Sequence, residues 1–389
     1  MISGNLRHLR VFLAVADLKS VTHASAQCNV SQPAVTQALN KLERDVGGAL
    51  FERSRQGFFL TPRGVLLEKR ARRAFALLDS AFAEASPRLR ITATTAQLQA
   101  LIAVREMENF TLAARRLGIA QPTVHRAVAQ LEQEVARPLF ERTSLGMIAT
   151  RLCQTLAQAA RLAFYELGQA DADLADFDGR EVGRIVIGAM PLSRSSLLPQ
   201  ALARFRVARS TLPVTILDGP YDDLLAGLRR GEIDFLIGAL RNPAPIGDVE
   251  QVPLFEDRLT LLAGRRHPLV GAPRPTLAQL AAYPWVVPRA GTPTRQQFDA
   301  LFEPLGAGAP RRIIESGSIL LMRELLEISD HLGCISLQQA EAELSKGLLV
   351  ALDFPVESGS RPIGLTLRRE WNPTAAQREM IEHLRAVTP

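Results

Sequence analysis

The chain has 389 residues, 47% hydrophobic and 22% charged, an ordinary balance for core-forming protein of two to four domains, and this excludes wholesale disorder and fibre-like architecture. Three scattered cysteines, Cys28, Cys153 and Cys334, cannot build a disulfide scaffold or a four-thiolate zinc site, and no apolar run approaches a membrane span. The net charge of +6 is concentrated in residues 1–90, which hold 14 basic and 7 acidic side chains, whereas residues 91–178 hold 8 and 10 and residues 179–389 hold 24 and 23.

An end-loaded basic segment points to a polyanionic partner, most commonly nucleic acid, with a solubilising surface as the alternative. The start of the chain has no signal-peptide pattern, so a cytoplasmic protein with no membrane partner is expected. Leu9, Phe12, Leu13 and Ala16 recur at i, i+3, i+4 and i+7, the stripe of an amphipathic helix. A short helix follows from about Thr22 to Gln27, and Asn29 breaks the pattern. Ser31 suits the N-cap of a third helix, with Pro33 in the first turn, where its missing N–H costs nothing. There Val35, Leu39 and Leu42 face inward and Gln32, Thr36, Gln37, Asn40 and Lys41 face out. Amide, hydroxyl and cationic groups on the first turns of a helix suit a DNA major groove, where Gln and Asn read adenine edges and Arg or Lys reads guanine. From Phe51 to Pro62, basic and apolar residues alternate around Gly57, as in a β-wing whose Arg53 and Arg55 reach phosphate. For a lone helix, a plain solvated face would explain the same residues.

From Pro62 to about Ala85 the stripe Leu66, Leu67, Ala71, Phe75, Leu78 and Phe82 predicts a helix roughly 36 Å long. Ser86-Pro87 then marks a boundary. Beyond it the chain repeats itself: residues 9–61 align without a gap on residues 98–150, with 18 of 53 positions identical. Chance would give about three. Val124, Val128 and Leu131 repeat the inner stripe, while Gln121, His125, Arg126 and Gln130 face out and Ala120 replaces the capping Ser31. The second wing keeps Arg142 but has no counterpart of Arg55 or Arg63. This reads as a second DNA-touching domain with a different sequence preference; a copy kept only for packing or dimerisation is the alternative. A further helix is expected from about Leu152 to Leu174, with Leu156, Ala159, Ala160 and Ala163 on one side, ending at Asp178-Gly179.

Ser31-Gln32-Pro33-Ala34-Val35-Thr36, Leu42-Glu43, Leu50-Phe51-Glu52-Arg53 and Thr61-Pro62-Arg63-Gly64 resemble, in order and spacing, the N-terminal signature of LysR-type transcriptional regulators. Residues 91–178 resemble a second, degraded copy, with Thr150-Arg151-Leu152-Cys153 in place of the usual Pro and Gly at the wing exit. The resemblance implies that the helix after the first wing dimerises. Most members of the family carry one such domain per chain.

After Gly179, short β-rich runs alternate with amphipathic helices, the pattern of an α/β domain. Strands are expected at Ile185–Ala189, Val214–Leu217, Phe235–Gly238, Leu259–Ala263, Trp285–Val287, Ile313–Glu315, Gly333–Ser336, Leu348–Leu352 and Ile363–Leu367, with a last helix from about Thr374 to Ala386. Leu197-Leu198-Pro199 and the run from Gly231 to Gly238 resemble the effector-binding domain of the same family. That implies two periplasmic-binding-protein-like lobes hinged around a cleft. The expected partition is winged helix-turn-helix 1–61, linker or dimerisation helix 62–90, second degraded winged helix-turn-helix 91–150, second linker helix 151–178 and effector-binding domain 179–389. Lobe I would span about 182–256 and 352–389, and lobe II about 257–351.

Small ligands in such sheets sit beyond the carboxyl ends of strands, often at helix N-termini. Hydroxyls gather at three such ends: Ser193, Ser195 and Ser196; Thr292 and Thr294, with Arg295; and Ser316 and Ser318. Together they suggest a cleft for a carboxylate or a polyhydroxy compound, although each could simply cap its own helix. Catalytic chemistry finds little support. The six histidines show no ligand pairing, and no phosphate loop, nucleophile elbow or dinucleotide turn is present. Asp222-Asp223 at a helix start is explained by the helix dipole.

The expected protein is therefore a ligand-responsive, sequence-specific DNA-binding transcriptional regulator, not an enzyme, with no cofactor or metal. Its expected partners are double-stranded DNA, a small-molecule effector, further copies of itself as dimer or tetramer, and RNA polymerase. A solute-binding or enzymatic α/β protein with a basic assembly segment, and a ligand-independent architectural DNA protein, are the rivals.

Overall fold

Side-chain caps start each helix of the first basic domain in this computed structural model, which describes residues 4–144, 146–241, 247–356 and 360–388. Asn5 caps α1 (Leu6–Leu18), Ser20 caps α2 (Val21–Gln27), and Ser31 accepts the Ala34 N–H to start α3 (Gln32–Val46). Leu9, Phe12, Val35, Leu39 and Leu42 close the core between them, while Ala16 is only half-buried. The antiparallel pair β1 (Phe51–Ser54) and β2 (Gly57–Leu60) forms the wing. Thr61 then caps the long α4 (Pro62–Ala85), and a short α5 (Leu89–Thr92) leads to the repeat.

The repeat folds as α6 (Thr95–Met107), α7 (Phe110–Leu117), α8 (Gln121–Val135), β3 (Phe140–Thr143), β4 (Gly146–Ala149) and α9 (Arg151–Phe177). The identities between the copies have mechanical causes. Glu43 accepts the Leu50 N–H at 2.9 Å, and its counterpart Glu132 accepts the Leu139 N–H at 2.8 Å. Each holds the entry to its wing. At each wing exit a threonine N–H, of Thr61 or Thr150, donates at 3.0 Å to the carbonyl of that same leucine.

The copies also differ for visible reasons. A Cβ on Gly64 would lie 2.2 Å from the Leu50 carbonyl oxygen, so α4 can leave the first wing this closely only with glycine there. Cys153 holds the matching place in α9 and is fully buried. Gly57 has φ +127° and lies against the Lys19 carbonyl, which also accepts the Phe58 N–H. Gly146 has φ +125°, yet a Cβ there would meet no described atom within 4 Å.

The apolar stripe of α4 packs on α9 of the same chain: Leu67, Ala71, Phe75, Leu78 and Phe82 share one core with Leu156, Ala160, Ala163, Leu167 and Leu174. These elements make up the first of two compact units, Met1–Gly183 and Arg184–Pro389.

The second unit holds two five-stranded mixed sheets. It begins with β5 (Ile185–Ala189), α10 (Pro191–Arg194), α11 (Leu197–Ala208), β6 (Val214–Leu217), α12 (Tyr221–Arg229), β7 (Phe235–Ala239) and β8 (Val249–Asp257). The chain then crosses into β9 (Leu259–Ala263), α13 (Leu277–Ala281), β10 (Trp285–Val287), α14 (Pro293–Phe302), β11 (Ile313–Glu315), α15 (Ile319–Ile328), β12 (Leu332–Ser336), α16 (Leu337–Ser345) and β13 (Val350–Ala351). It returns through β14 (Arg361–Arg368) and ends in α17 (Ala375–Ala386). The sheet orders are β6-β5-β7-β14-β8 and β11-β10-β12-β9-β13. Asp234, at the end of the turn before β7, accepts the buried Val186 N–H at 2.7 Å. Trp285, Phe298 and Phe302 stack edge-on at the centre of the second sheet's core.

Strand β8 is absent from the sequence expectation. It carries Pro253 and alternates charged with apolar residues, and as an edge strand it tolerates a proline that a central strand would reject. Its pairing with β14 shifts register between Ile363 and Gly364, where a Cβ on Gly364 would lie 2.1 Å from the Val252 carbonyl oxygen. The strand expected at Leu348–Leu352 contracts to the two residues of β13.

Candidate nucleic-acid interface and ligand cleft

Helix α3 buries Val35, Ala38, Leu39, Leu42 and Val46, which leaves Ser31, Gln32, Pro33, Thr36, Gln37, Asn40 and Lys41 exposed. Gln32, Thr36, Gln37, Asn40 and Arg44 line an open groove on this face. The Thr36 hydroxyl donates to the Gln32 carbonyl at 3.2 Å, and the Ser31 hydroxyl is engaged in its cap at 3.4 Å. Gln32, Gln37 and Lys41 have no hydrogen bond or ion pair to described residues, so their polar ends are open to a partner. On the wing, Arg53 and Arg55 are both exposed, and the Arg53 guanidinium lies 5.6 Å from the Phe58 ring centre. Cations on a wing and amides on an exposed helix face are the chemistry that phosphates and base edges call for.

Helix α8 presents the equivalent face with other chemistry. Gln121, His125 and Arg126 are exposed; the His125 ring lies 5.2 Å from Phe110, and Arg126 has no hydrogen bond or ion pair to described residues. Gln130 accepts from Gln97 at 3.0 Å. Ala120 offers no capping side chain. Arg142 lies on β3 opposite Met147, and its side chain falls outside the described residues.

In the second unit, a cleft of about 80 Å³ lies between elements of the two sheets, small against the roughly 300–1,000 Å³ of ordinary ligand pockets. The structure brings Thr292, Thr294, Ser316 and Ser318 to its wall. Thr292 and Ser318 cap α14 and α15, and the Ser316 hydroxyl accepts the Ser318 N–H at 3.1 Å. Ser193, Ser195, Ser196 and Arg295 do not line it. Ser193 is buried and donates to the Met190 carbonyl at 2.8 Å, and Ser196 accepts from Gln200 at 2.8 Å. Ser195 closes the short α10, and Arg295 is occupied by Asp299 at 2.8 Å and by Glu315. That pairing holds the Glu315 carboxyl below the usual carboxylate range.

Arg361, which the sequence reading missed, stands at the first residue of β14 and lines this cleft. It donates to Asp257 at 3.1 Å and to the Thr294 hydroxyl, and all three side chains are buried. Its Nε is buried with no hydrogen-bond partner among the described residues. A donor held in this way at a cleft wall suits an anionic or carbonyl oxygen. Its two partners lie 104 and 67 residues away in sequence, so no local pattern announces it.

Burial pushes the Cys153 and Cys334 thiols up to about 12. Among the described residues, no group of three or more His, Cys, Asp or Glu side chains could hold a metal ion, and no helix is long and apolar enough to cross a membrane.

Comparison with known proteins places these sites in context. Residues 178–389 match the LysR substrate binding domain, and residues 6–65 and 95–154 each match the bacterial regulatory helix-turn-helix protein, lysR family. The chain is 36% identical over 369 residues to the HTH-type transcriptional regulator GalR of Pseudomonas putida, covering 94% of this chain and 92% of that one. It is 29% identical over 294 residues to the uncharacterized HTH-type transcriptional regulator YdcI of Escherichia coli, covering 75% and 95%. Among solved structures, full-length CbnR complexed with its target DNA aligns with a TM-score of 0.51 at 21% identity, covering 76% of this chain and 99% of that one; the likeness is one of fold.

Proposed function

Since the chain belongs to the LysR family and is a transcriptional regulator with DNA-binding helix-turn-helix domains and an effector-binding domain, we propose that α3 reads base edges through Gln32, Thr36, Gln37 and Lys41, while Arg53 and Arg55 hold flanking phosphates. Regulators of this family bind DNA and small-molecule effectors and form oligomers. The observation that carries the reading is the exposed α3 face, whose Gln32, Gln37 and Lys41 have no hydrogen bond or ion pair among the described residues. Ser31 and Pro33 set the start of that helix. Gln121, His125 and Arg126 on α8, with Arg142 on the second wing, take the same part in the second domain. The protein acts in the cytoplasm, with RNA polymerase as the partner through which bound DNA is read out.

The effector reading rests on Arg361. A small carboxylate would accept from its Nε and from the hydroxyls of Ser316 and Ser318, which accept the Ser318 and Leu321 N–H groups and keep their own protons to give, whereas the Thr292 hydroxyl already donates to the Arg289 carbonyl at 2.8 Å. Because Arg361 and Asp257 lie where the chain crosses between the two sheets, a ligand there bears on the crossing strands. The ligand acts by binding two arrangements of the domain unequally.

A nuclease footprint on the DNA upstream of this gene, at fixed salt with random competitor, tests the DNA reading. Arg53→Ala weakens all DNA about equally and flattens the salt slope by roughly one unit. Gln32→Ala loses preference for the protected sequence; equal loss on random DNA would count against a base-reading role. For the cleft, a panel of small carboxylates raises the melting temperature of the wild type and leaves Arg361→Met unmoved. A shift of equal size in that variant places the ligand elsewhere.

A further inference from the structure

We propose that a single chain is a complete two-headed DNA reader: the seam between α4 and α9 pairs α3 and α8 within one chain, so the DNA element it selects has two unlike halves and a direction. This rests on the reading above, that the exposed faces of α3 and α8 contact bases.

Each head meets its own long helix in the same way. Asp17, at the end of α1, pairs with Arg72 of α4. At the repeat offset of 89, Glu106 of α6 pairs with Arg161 of α9. The same ion pair therefore recurs between each head and its own helix, and in the first copy Leu9 and Phe12 share one core with Leu67 and Phe75, so whatever joins α4 to α9 joins the heads.

The joint between α4 and α9 is one-sided. Arg70 of α4 is buried and donates to Glu166 at 2.9 Å and to Asp173 at 2.7 Å on α9, with Arg73 at 3.4 Å from Glu166. Arg63 of α4 pairs with Asp178 just beyond α9. The cations are on the first copy and the carboxylates on the second. At the repeat offset, Arg63, Arg70 and Arg73 correspond to Leu152, Ala159 and Leu162, whereas Glu166 and Asp178 correspond to Leu77 and Leu89. Only Asp173 has an acidic counterpart, Glu84. Pairing α4 with the α4 of another copy would leave Arg70 one carboxylate, Glu84 in the place of Asp173, with leucine in the place of the buried Glu166. Pairing two α9 helices would bury Glu166 with alanine in place of Arg70. Burying a charge that has lost a partner is unfavourable, so this arrangement selects α4 against α9 over two like helices from separate copies, and in the structure the α9 that meets α4 is that of the same chain.

The two exposed faces also differ in chemistry. The position that is Gln37 on α3 is Arg126 on α8, and Thr36 becomes His125. An amide suits adenine and a guanidinium suits guanine, so the two halves differ at the bases these residues face.

The test uses the full chain and a pool of random duplex DNA, sequenced after repeated selection. The expected result is one element with two dissimilar halves at fixed spacing. Gln37→Ala relaxes one half and Arg126→Ala the other, each by roughly tenfold or more in base discrimination. Two identical halves that both respond to Gln37→Ala and ignore Arg126→Ala would overturn the proposal, as would a single half read by α3 alone. If neither substitution changes any preference, it is the base-reading role of these helices that fails. The seam has its own measurement: Arg63→Cys with Asp178→Cys, in a Cys28→Ser background, bridged by a short bismaleimide. A bridged product that migrates as one chain in denaturing gels supports pairing within the chain. Two linked chains overturn it.

Discussion

Arg70 on α4 and Glu166 on α9 meet at 2.9 Å with side chains only 1% and 6% exposed, an ion pair closed off from water between two long helices of one chain. Asp173 adds a second carboxylate at 2.7 Å and still reaches solvent. Such a cluster contributes little net stability relative to apolar packing, but breaking it is costly because one charge remains buried. Arg70→Ala should destabilise the first unit by about 3–5 kcal/mol. Arg70→Met combined with Glu166→Leu should recover most of that loss, since Arg73 and Asp173 can turn to water. Far-UV circular dichroism during urea unfolding reports it, because both tryptophans, Trp285 and Trp371, lie in the second unit. Equal loss in the single and double variants would mean that packing, not charge, holds the seam.

Glu43 and Glu132 hold the wings of the two copies by one device, a carboxylate accepting a leucine N–H. Removing the acceptor leaves the N–H of Leu50 or Leu139 without it, at a cost of about 1–3 kcal/mol. Glu43→Ala and Glu132→Ala should each lower stability by that amount, whereas Glu43→Gln, which keeps a carbonyl acceptor, should cost less than half as much. Thermal unfolding of the three variants checks the ordering. A glutamine variant as damaged as the alanine one would show that negative charge, not the hydrogen bond, is what matters.

These same residues show what was readable in advance. The paired Leu-Glu and Leu-Phe-Glu-Arg blocks stand out in sequence because each does a local mechanical job within about ten residues. The α3 face was readable for a similar reason: a helix of period 3.6 that buries Val35, Leu39 and Leu42 must expose Gln32, Thr36 and Gln37. The burial of the α4 stripe was readable but not its partner, since an apolar stripe does not say whether the opposing helix belongs to the same chain. The serines thought to line the cleft were placed by strand ends alone. Ser193 sits at the right strand end, yet its hydroxyl turns back to the Met190 carbonyl, a choice that depends on local turn geometry. Arg361 was invisible because both of its side-chain partners come from distant elements.

The two wing glycines share a backbone conformation and differ in surroundings. Gly57→Ala would set a Cβ 2.5 Å from the Lys19 carbonyl oxygen, in addition to the strain of a positive φ. Gly146→Ala meets only the strain, about 1–3 kcal/mol. Gly57→Ala should therefore be the more destabilising of the two, and it should also weaken DNA binding by displacing Arg53 and Arg55. Paired melting curves and gel-shift titrations measure both effects. A Gly146→Ala variant with the larger loss would contradict the tighter anchoring of the first wing.

His267 gives the second unit a pH dependence whose sign follows from burial. Its ring is 4% exposed, lies 4.6 Å from the Tyr283 ring, and accepts the Leu269 N–H through Nδ1 at 3.1 Å. Desolvation pushes its pKa below the ordinary 6.5, and the opposing influence of Asp330 is smaller. The unfolded chain therefore binds a proton near pH 6.5 that the folded chain does not yet accept. Stability falls as pH drops from about 6.5 toward the lowered value and levels off below it. His331 and His8 are lowered too and add slopes of the same sign, so the variant must be read as a difference. His267→Gln should flatten the melting temperature against pH below the ordinary 6.5 of imidazole while lowering it overall. An unchanged slope in that variant would assign the acid sensitivity to the other histidines or to the carboxylates.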